Sequence, residues 1–297
     1  MRNIKLLILI GAIFGGLQFI WVTVAAAESE SGDYSSPMGE FEQKVYQFES
    51  QAWFGIKGLS LKYKETSANS DLEKEWDGLG IRADVGVNAY RDIDDRSLFG
   101  IKLQAGYMSS ETEEEEIHSN GNNFLEDELQ VRGFELFLGV SWVRLLNEKF
   151  RLEHTVGVGH RELDFRREGL FFGSEPLGRL TWETSNQYAS YSPQILYQAT
   201  PHLSLSLQPS VAYIFYAKSH NNLSGTINGD GGYILGTAAR LDYHIWESAS
   251  LFLEASWEKQ KITGGEAEDA TLPSTFNEWP DNELTTFGLA AGLAVNF

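Results

Sequence analysis

From residue 48 to its end, the chain consists mainly of segments in which apolar residues alternate with polar or small ones. Residues 287–297 are the simplest case, because every second residue from Phe287 to Phe297 is apolar and those between them are small or polar. Successive side chains of a β-strand point to opposite faces. Segments of this kind therefore predict strands with one apolar face.

Ten such segments predict ten strands. They are expected at residues 48–64, 79–91, 97–108, 129–145, 149–165, 186–199, 202–218, 232–246, 249–262 and 284–297. The intervals between them are alternately long and short, as in an antiparallel up-and-down sheet with short turns at one end and long loops at the other. With an even number of strands, the first strand begins and the last strand ends on the side of the short turns.

Three of these strands contain irregularities. The apolar pattern of the first changes phase near Lys57 and Gly58, which predicts a β-bulge. Pro193 and Pro209 fall inside the sixth and seventh strands, where each proline removes a hydrogen bond of the ladder.

The orientation of the apolar faces separates two classes of barrel. A soluble, lipocalin-like barrel points its apolar residues inward, whereas an outer-membrane barrel points them at lipid. Aromatic residues collect at membrane interfaces, and here they flank the apolar segments: Trp53, Tyr107, Trp142, Tyr213, Phe215, Tyr243 and Trp257. We therefore expect an all-β fold, a ten-stranded antiparallel up-and-down transmembrane β-barrel with lipid outside.

The N-terminal segment supports this expectation. Arg2 and Lys5 precede an uncharged, mostly apolar run that ends at Ala25-Ala26-Ala27, which is typical of a cleaved secretory signal peptide. A retained transmembrane helix is the alternative, since the run is just long enough to span a bilayer. We interpret residues 1–27 as the signal peptide, 28–47 as a polar periplasmic tail and 48–297 as the barrel.

The mature chain is strongly acidic and has no cysteine. The formal net charge of −19 becomes −21 when residues 1–27 are removed, because they contain Arg2 and Lys5 but no acid. Nucleic acid is therefore not an expected partner. Disulfides cannot stabilise the fold, and no feature of the sequence indicates a cofactor.

Charged residues of both signs occupy the polar faces of the predicted strands. With lipid outside, these residues face the lumen, where pairing spares each ion an unpaired burial. We expect a lumenal polar network that plugs or narrows the barrel. Its expected members are Arg82, Asp84, Lys102, Glu135, Arg151, Glu153, Arg240, Asp242, Glu254 and Glu258, with Arg161 on the same face.

The stretch WVRLLNEKFRLEHTVGVGHRELDFRREG, residues 142–169, resembles the omptin family of outer-membrane aspartyl-type proteases. That resemblance implies a ten-stranded barrel in the outer membrane of a Gram-negative bacterium, in contact with outer-membrane lipid and lipopolysaccharide. The terminal Phe297 resembles the insertion signal that the barrel assembly machinery reads in such proteins.

The resemblance also implies a catalytic groove, formed by an Asp pair of the second loop and an Asp-His pair of the fourth. Here the second loop, residues 109–128, has no D-x-D, and the fourth, residues 219–231, has His220 without a nearby aspartate. His220 is thus a weak catalytic candidate, because a general base needs an orienting carboxylate. Asp242-Tyr243-His244 looks like a dyad but lies near a short turn, where a structural network is the expected role.

The second loop is the most acidic part of the chain. Glu113, Glu114, Glu115 and Glu116 offer oxygen ligands to a divalent cation. They lack the spacing of a calcium loop, and charge runs are usually solvated, so no metal site is expected there.

Two functional classes stay open at this point. The first is a non-enzymatic barrel: a narrow channel, a scaffold, or a surface receptor whose acidic loops meet divalent cations or cationic ligands. The second is a divergent omptin-like endoprotease.

Overall fold

Ten long antiparallel strands form a closed barrel, as predicted. The structure is a computed structural model that describes residues 50–66, 73–112, 117–119, 122–124, 128–172, 175–221, 225–246, 248–266 and 278–297. The barrel strands are β1 (Gln51–Thr66), β2 (Glu73–Asp94), β3 (Ser97–Thr112), β4 (Glu128–Leu145), β5 (Phe150–Phe172), β6 (Glu175–Thr200), β7 (Leu203–Asn221), β8 (Gly231–Trp246), β9 (Ala249–Thr263) and β10 (Asp281–Asn296).

Each strand pairs with the next along the chain, and β1 pairs with β10 from Gln51↔Asn296 to Thr66↔Asp281, which closes the ring. Short strands at Ile117–Ser119, Asn122–Phe124, Gly225–Gly229, Gly265–Glu266 and Glu278–Trp279 belong to the connections. In the described part of the chain, no helix is long and apolar enough to cross a membrane.

The two ends of the barrel differ in their connections. Short turns near residues 95, 147, 201 and 248 lie at one end, called here the turn end, together with the first residue of β1 and the last of β10. Asn147 organises one turn, since its Oδ1 accepts backbone hydrogen bonds from Lys149 and Phe150, both at 2.9 Å. The longer connections lie at the opposite end, called here the loop end.

In the half of the barrel next to the turn end, the apolar face of each strand points outward. On β10, Phe287 and Leu289 are 58% and 74% exposed, whereas Ala290 and Ala294 point inward and are buried. Tyr107, Trp142, Tyr213, Phe215 and Tyr243 are likewise exposed. Trp53 is an exception to the sequence expectation, because its side chain faces the lumen.

Toward the loop end, the pattern inverts on the same strands. On β1, the outward positions change from Phe54 and Ile56 to Ser60 and Lys62, while the inward positions become Leu59, Leu61 and Tyr63. The β-bulge predicted at Lys57 and Gly58 is wrong, because β1 keeps continuous register with β2 and β10. The phase of the sequence pattern changes because the surroundings of the strand change, while its backbone stays regular.

The inward apolar residues of the loop-end half form two buried clusters that fill the barrel. The first, called here the aromatic cluster, contains Leu59, Leu61, Tyr63, Trp76, Met108, Leu129, Val131, Leu163, Phe165, Trp182 and Leu284. The second, the isoleucine cluster, contains Tyr188, Ala212, Ile214, Ala217, Ile227, Ile234, Ile262 and Trp279.

This inversion also explains why the strands are longer than predicted. The fifth and sixth strands were expected at residues 149–165 and 186–199, but β5 continues to Phe172 and β6 begins at Glu175. Their loop-end halves place polar residues outward, which breaks the alternation expected of a strand surrounded by lipid.

The two prolines lie inside continuous strands, so β6 and β7 are confirmed. The pairing of β6 with β7 is nevertheless interrupted between Tyr191↔Val211 and Ile195↔Leu207. The same register places Pro193 opposite Pro209.

Truncating an inward side chain of the aromatic cluster should destabilise the barrel, whereas truncating its outward neighbour should not. Leu61 is 4% exposed and Ser60 is exposed on the opposite face of β1. We expect Leu61→Ala to lower the free energy of unfolding by about 2–5 kcal/mol, because it leaves a cavity. Ser60→Ala should stay within about 0.5 kcal/mol of wild type. Urea unfolding of the refolded protein, followed by tryptophan fluorescence, measures both, and equal effects would contradict a packed loop-end core.

Candidate functional site

Six cations and six anions face the lumen in the turn-end half. The cations are Lys57, Arg82, Lys102, Arg151, Arg161 and Arg240, and the anions are Asp84, Glu135, Glu153, Asp242, Glu254 and Glu258. They surround a cavity of about 360 Å³. Each has an oppositely charged partner among the other eleven, so the described charges of the lumen balance.

Arg161 bridges the lumen from β5 to β9. Its Nη1 donates to Glu258 Oε1 at 2.7 Å and to Gln260 Oε1 at 2.8 Å, and its Nη2 donates to Glu135 Oε1 at 2.9 Å. β5 and β9 are not neighbours in the sheet, so these bonds run across the interior. The guanidinium is planar and presents several donors in a fixed fork, which suits a group shared between two carboxylates.

Arg82 extends the ion pairs of Arg161 along the wall, and the connected network is called here the Arg161 lattice. Its Nε donates to Asp84 Oδ1 at 2.7 Å, and its Nη2 donates to Glu135 Oε2 at 2.9 Å. A Cβ at Gly106 would overlap Asp84 Oδ1 and lie 2.7 Å from Arg82 Nη2, so glycine at this position leaves room for the pair. Tyr188 donates its hydroxyl hydrogen to Glu135 and joins the isoleucine cluster to the lattice.

A second group of charges lies nearer the turn end, centred on Glu153. This carboxylate is 2% exposed and accepts hydrogen bonds from Tyr90 at 2.8 Å and Arg151 at 3.2 Å, with Lys102 Nζ 2.8 Å away. Lys57 pairs with Glu254 at 2.9 Å on the side of β1 and β9. Cation and anion thus lie together in every group, which offsets part of the cost of taking them out of water.

Arg240 and Asp242 pair with each other along β8. Arg240 donates to Asp242 through Nη2 at 2.6 Å and through Nε at 2.9 Å, and its guanidinium lies 3.8 Å from the ring centroid of Phe252. The structure therefore pairs these two neighbours within one strand. Asp242 is held by Arg240, and His244 lines the same cavity at the turn end.

The cavity reaches from the turn-end rim to the underside of the buried clusters. Gln51, Asn296 and His244 line it near the rim, and Met108 and Leu284 line it at the far side. Beyond Met108 and Leu284 the lumen is filled by the aromatic and isoleucine clusters. The cavity is therefore closed toward the loop end.

The catalytic candidate His220 lies outside this lumen. It is exposed at the end of β7, its Nδ1 is 3.0 Å from Thr226 Oγ1, and its register partner on β6 is Glu183. Within the described ranges, no ion pair links its imidazole to a carboxylate. Glu113, Glu114, Glu115 and Glu116 lie outside the described residues. The backbone N–H of Phe297 donates to the Ser50 carbonyl at 2.9 Å, which fastens the chain end to the start of β1.

Sequence reasoning did not single out an acidic cluster on the outer wall near the loop end. Carboxylate oxygens of Glu162, Asp164 and Glu183 lie within 4.8 Å of one another on β5 and β6. The sequence carried a signal for this cluster, because Glu162 and Asp164 fall inside the strand expected at residues 149–165, on the face that was expected to meet lipid.

The chain matches no family model and no curated protein sequence. Its fold, however, is similar to that of several solved structures. The outer-membrane protease OmpT from Escherichia coli is 14% identical, with a TM-score of 0.53 over 85% of this chain and 98% of that chain. The transport unit of the autotransporter AIDA-I from Escherichia coli is 12% identical, with a TM-score of 0.49 over 90% and 94% of the two chains.

The chain has the fold of an outer-membrane β-barrel. The translocator domain of the autotransporter NalP from Neisseria meningitidis adds a more distant likeness, 10% identical with a TM-score of 0.41 over 96% of this chain and 97% of that chain. The fold supports an outer-membrane location, and the architecture is consistent with that of omptins. At these identities the likeness concerns the fold alone, because one fold hosts many functions.

Removing the guanidinium of Arg161 should destabilise the outer-membrane barrel more than removing an exposed cation. Arg161→Ala leaves Glu135 and Glu258 without this partner, and loss of one partner of a buried ion pair costs about 3–5 kcal/mol. Lys62→Ala breaks only the exposed Lys62–Glu75 pair at the loop end, and should stay close to wild type. Unfolding by guanidinium chloride in lipid vesicles measures both variants. Equal midpoints for Arg161→Ala and wild type would show that the lattice does not stabilise the fold.

Proposed function

We propose that the protein is a non-enzymatic outer-membrane barrel with a lumen too obstructed for porin-sized conductance, which holds an acidic surface outside the cell. The observation that carries this proposal is the double closure of the lumen. The Arg161 lattice crosses the middle of the barrel, and the aromatic and isoleucine clusters fill the half beyond it. A ten-stranded barrel is wider than the eight-stranded case that side chains just fill, and here two layers of side chains occupy the extra room.

The ligands proposed for the outer surface are divalent cations or cationic molecules. The second loop contains Glu113, Glu114, Glu115 and Glu116 in sequence, and the outer wall near the loop end adds the cluster of Glu162, Asp164 and Glu183. With a mature net charge of −21, such a surface attracts cations over a distance set by salt screening. Nucleic acid is not proposed as a partner.

The remaining partners in this proposal belong to the membrane. Lipid and lipopolysaccharide contact the outward apolar belt, and the assembly machinery binds the C-terminal strand that ends at Phe297. β10 supports this role, because its outward positions from Phe287 to Val295 are apolar without interruption.

The closed lumen should make the protein a poor conductor in planar bilayers. We expect no porin-sized conductance, because both the charged lattice and the apolar clusters would have to be displaced to admit a hydrated ion. Insertion is checked by heat-modifiable electrophoretic mobility, and a 16-stranded porin serves as the positive control. Porin-sized steps from inserted protein would overturn the proposal, whereas small, cation-favouring events would be compatible with it.

An omptin-like endoprotease is the second candidate. It is supported by the fold likeness to OmpT, which extends over 98% of that protease. The chemistry of the described residues argues against it, because His220 faces outward and its Nδ1 contacts a threonine hydroxyl instead of a carboxylate. Water attack on a peptide bond needs an oriented base together with groups that stabilise the developing charge.

A peptide library rich in dibasic sites tests this second candidate. The refolded protein, supplied with lipopolysaccharide, is expected to leave the library intact, because an isolated imidazole supplies only part of the required chemistry. The matched variant is His220→Ala. Cleavage by wild type that disappears in this variant would establish the protease and overturn the non-enzymatic proposal.

A further inference from the structure

One wall of the barrel lacks continuous backbone pairing. Between the pairs Tyr191↔Val211 and Ile195↔Leu207, residues 192–194 of β6 do not pair with residues 208–210 of β7. At about 3.3 Å per residue the interruption is about 13 Å long. Elsewhere within the described strands, the ladders show shifts of register at turns, near the loop end of β5 and β6, and between Gln187 and Tyr188 on β6.

The two prolines account for this gap. In an antiparallel ladder, every second pair of opposite residues exchanges two backbone hydrogen bonds, and proline has no N–H to donate. Pro193 and Pro209 face each other in one such pair, so both of its bonds are missing. Each proline keeps its place beside its other neighbour, at His154↔Pro193 on β5 and Thr237↔Pro209 on β8. Both missing hydrogen bonds therefore fall between β6 and β7, in the unpaired stretch called here the β6–β7 seam.

The inner side of this seam is a polar wall of the cavity. Ser192 and Gln194 on β6 and Gln208 and Ser210 on β7 line the cavity, and no side-chain hydrogen bond joins any of these four to another described residue. The prolyl carbonyls left without ladder partners lie in the same stretch. Irregular backbone is tolerated at membrane depth where it is buried in protein or lines a water-filled cavity, and the inner side of this stretch lines the polar cavity.

The outer side of the seam is apolar. Tyr191, Ile195, Leu207 and Val211 are 40%, 42%, 50% and 47% exposed, and they frame the proline pair on the surface that faces lipid. At this seam, a stretch of wall without ladder hydrogen bonds separates the polar cavity from the apolar outer surface.

We propose that the β6–β7 seam is a lateral portal that admits an amphipathic lipid. The head group of the lipid enters the cavity among Ser192, Gln194 and Gln208, and its acyl chain stays outside along Ile195 and Leu207. The head group is uncharged and rich in hydroxyls, because the ions of the cavity pair with one another while the serines and glutamines leave their donors and acceptors available. This inference rests on the membrane location and is independent of what the acidic loops bind.

Site-directed fluorescence tests the portal, and the absence of native cysteine makes single labelling straightforward. Gln208→Cys carries bimane at the seam. The control is Gln104→Cys, which lines the same cavity on β3, where pairing with β2 and β4 is continuous. Both proteins are placed in vesicles that contain a lipid spin-labelled near the head of its acyl chain. Pro193→Ala with Pro209→Ala restores two N–H groups and serves as the closed variant.

We expect a neutral glycosyl diacylglycerol to quench bimane at residue 208 at least twofold more than at residue 104. The double alanine variant should reduce quenching at residue 208 to the level of residue 104. Heat-modifiable mobility confirms that every variant is folded. Equal quenching at the two positions, or quenching that the double variant leaves unchanged, would overturn the portal. Equal quenching by spin-labelled phosphatidylglycerol would overturn the assignment of an uncharged head group.

Discussion

The structure depends on one constraint: each strand crosses from hydrocarbon into water while the same face keeps pointing into the barrel. In the turn-end half of the barrel, called here the lower half, the outward side chains must be apolar and the interior is free to be polar. In the loop-end half, called here the upper half, the outward side chains must be polar, and the barrel acquires an apolar core of the kind found in soluble proteins. Ser60 and Leu61 on β1 are adjacent residues that show both requirements of the upper half.

The lattice and the clusters are two solutions to filling the same tube. In the lower half, charged side chains span the lumen because each finds a partner within about 3 Å, as Arg161 does with Glu135 and Glu258. In the upper half, aromatic rings do the same by stacking, as Phe165 and Trp182 do with ring centroids 5.0 Å apart. Tyr188 belongs to both, since its ring packs in the isoleucine cluster and its hydroxyl binds the lattice.

Much of the lower half could be predicted from the sequence, because a strict two-residue alternation behind a signal peptide predicts membrane strands whose apolar face meets lipid. The inward charges Arg82, Asp84 and Glu153 were identified on that basis. Their partners were not, since the contact between Arg161 and Glu258 joins residues that are 97 positions apart across the lumen. The prediction of a β-bulge at Lys57 and Gly58 was wrong because two different causes shift the phase of the apolar pattern in a sequence. One is a β-bulge, and the other is a change from lipid to water around a regular strand.

The inversion has a consequence for how the barrel sits in its bilayer. Lys62 and Glu75 lie on the outer wall near the loop end, just beyond apolar outward residues such as Ile56 and Leu79. A vertical slide in one direction would bring these ions into hydrocarbon, and a slide in the other would expose the apolar belt to water. The protein therefore has one preferred depth, and a membrane of a different hydrophobic thickness has to stretch or thin around it instead of shifting the barrel.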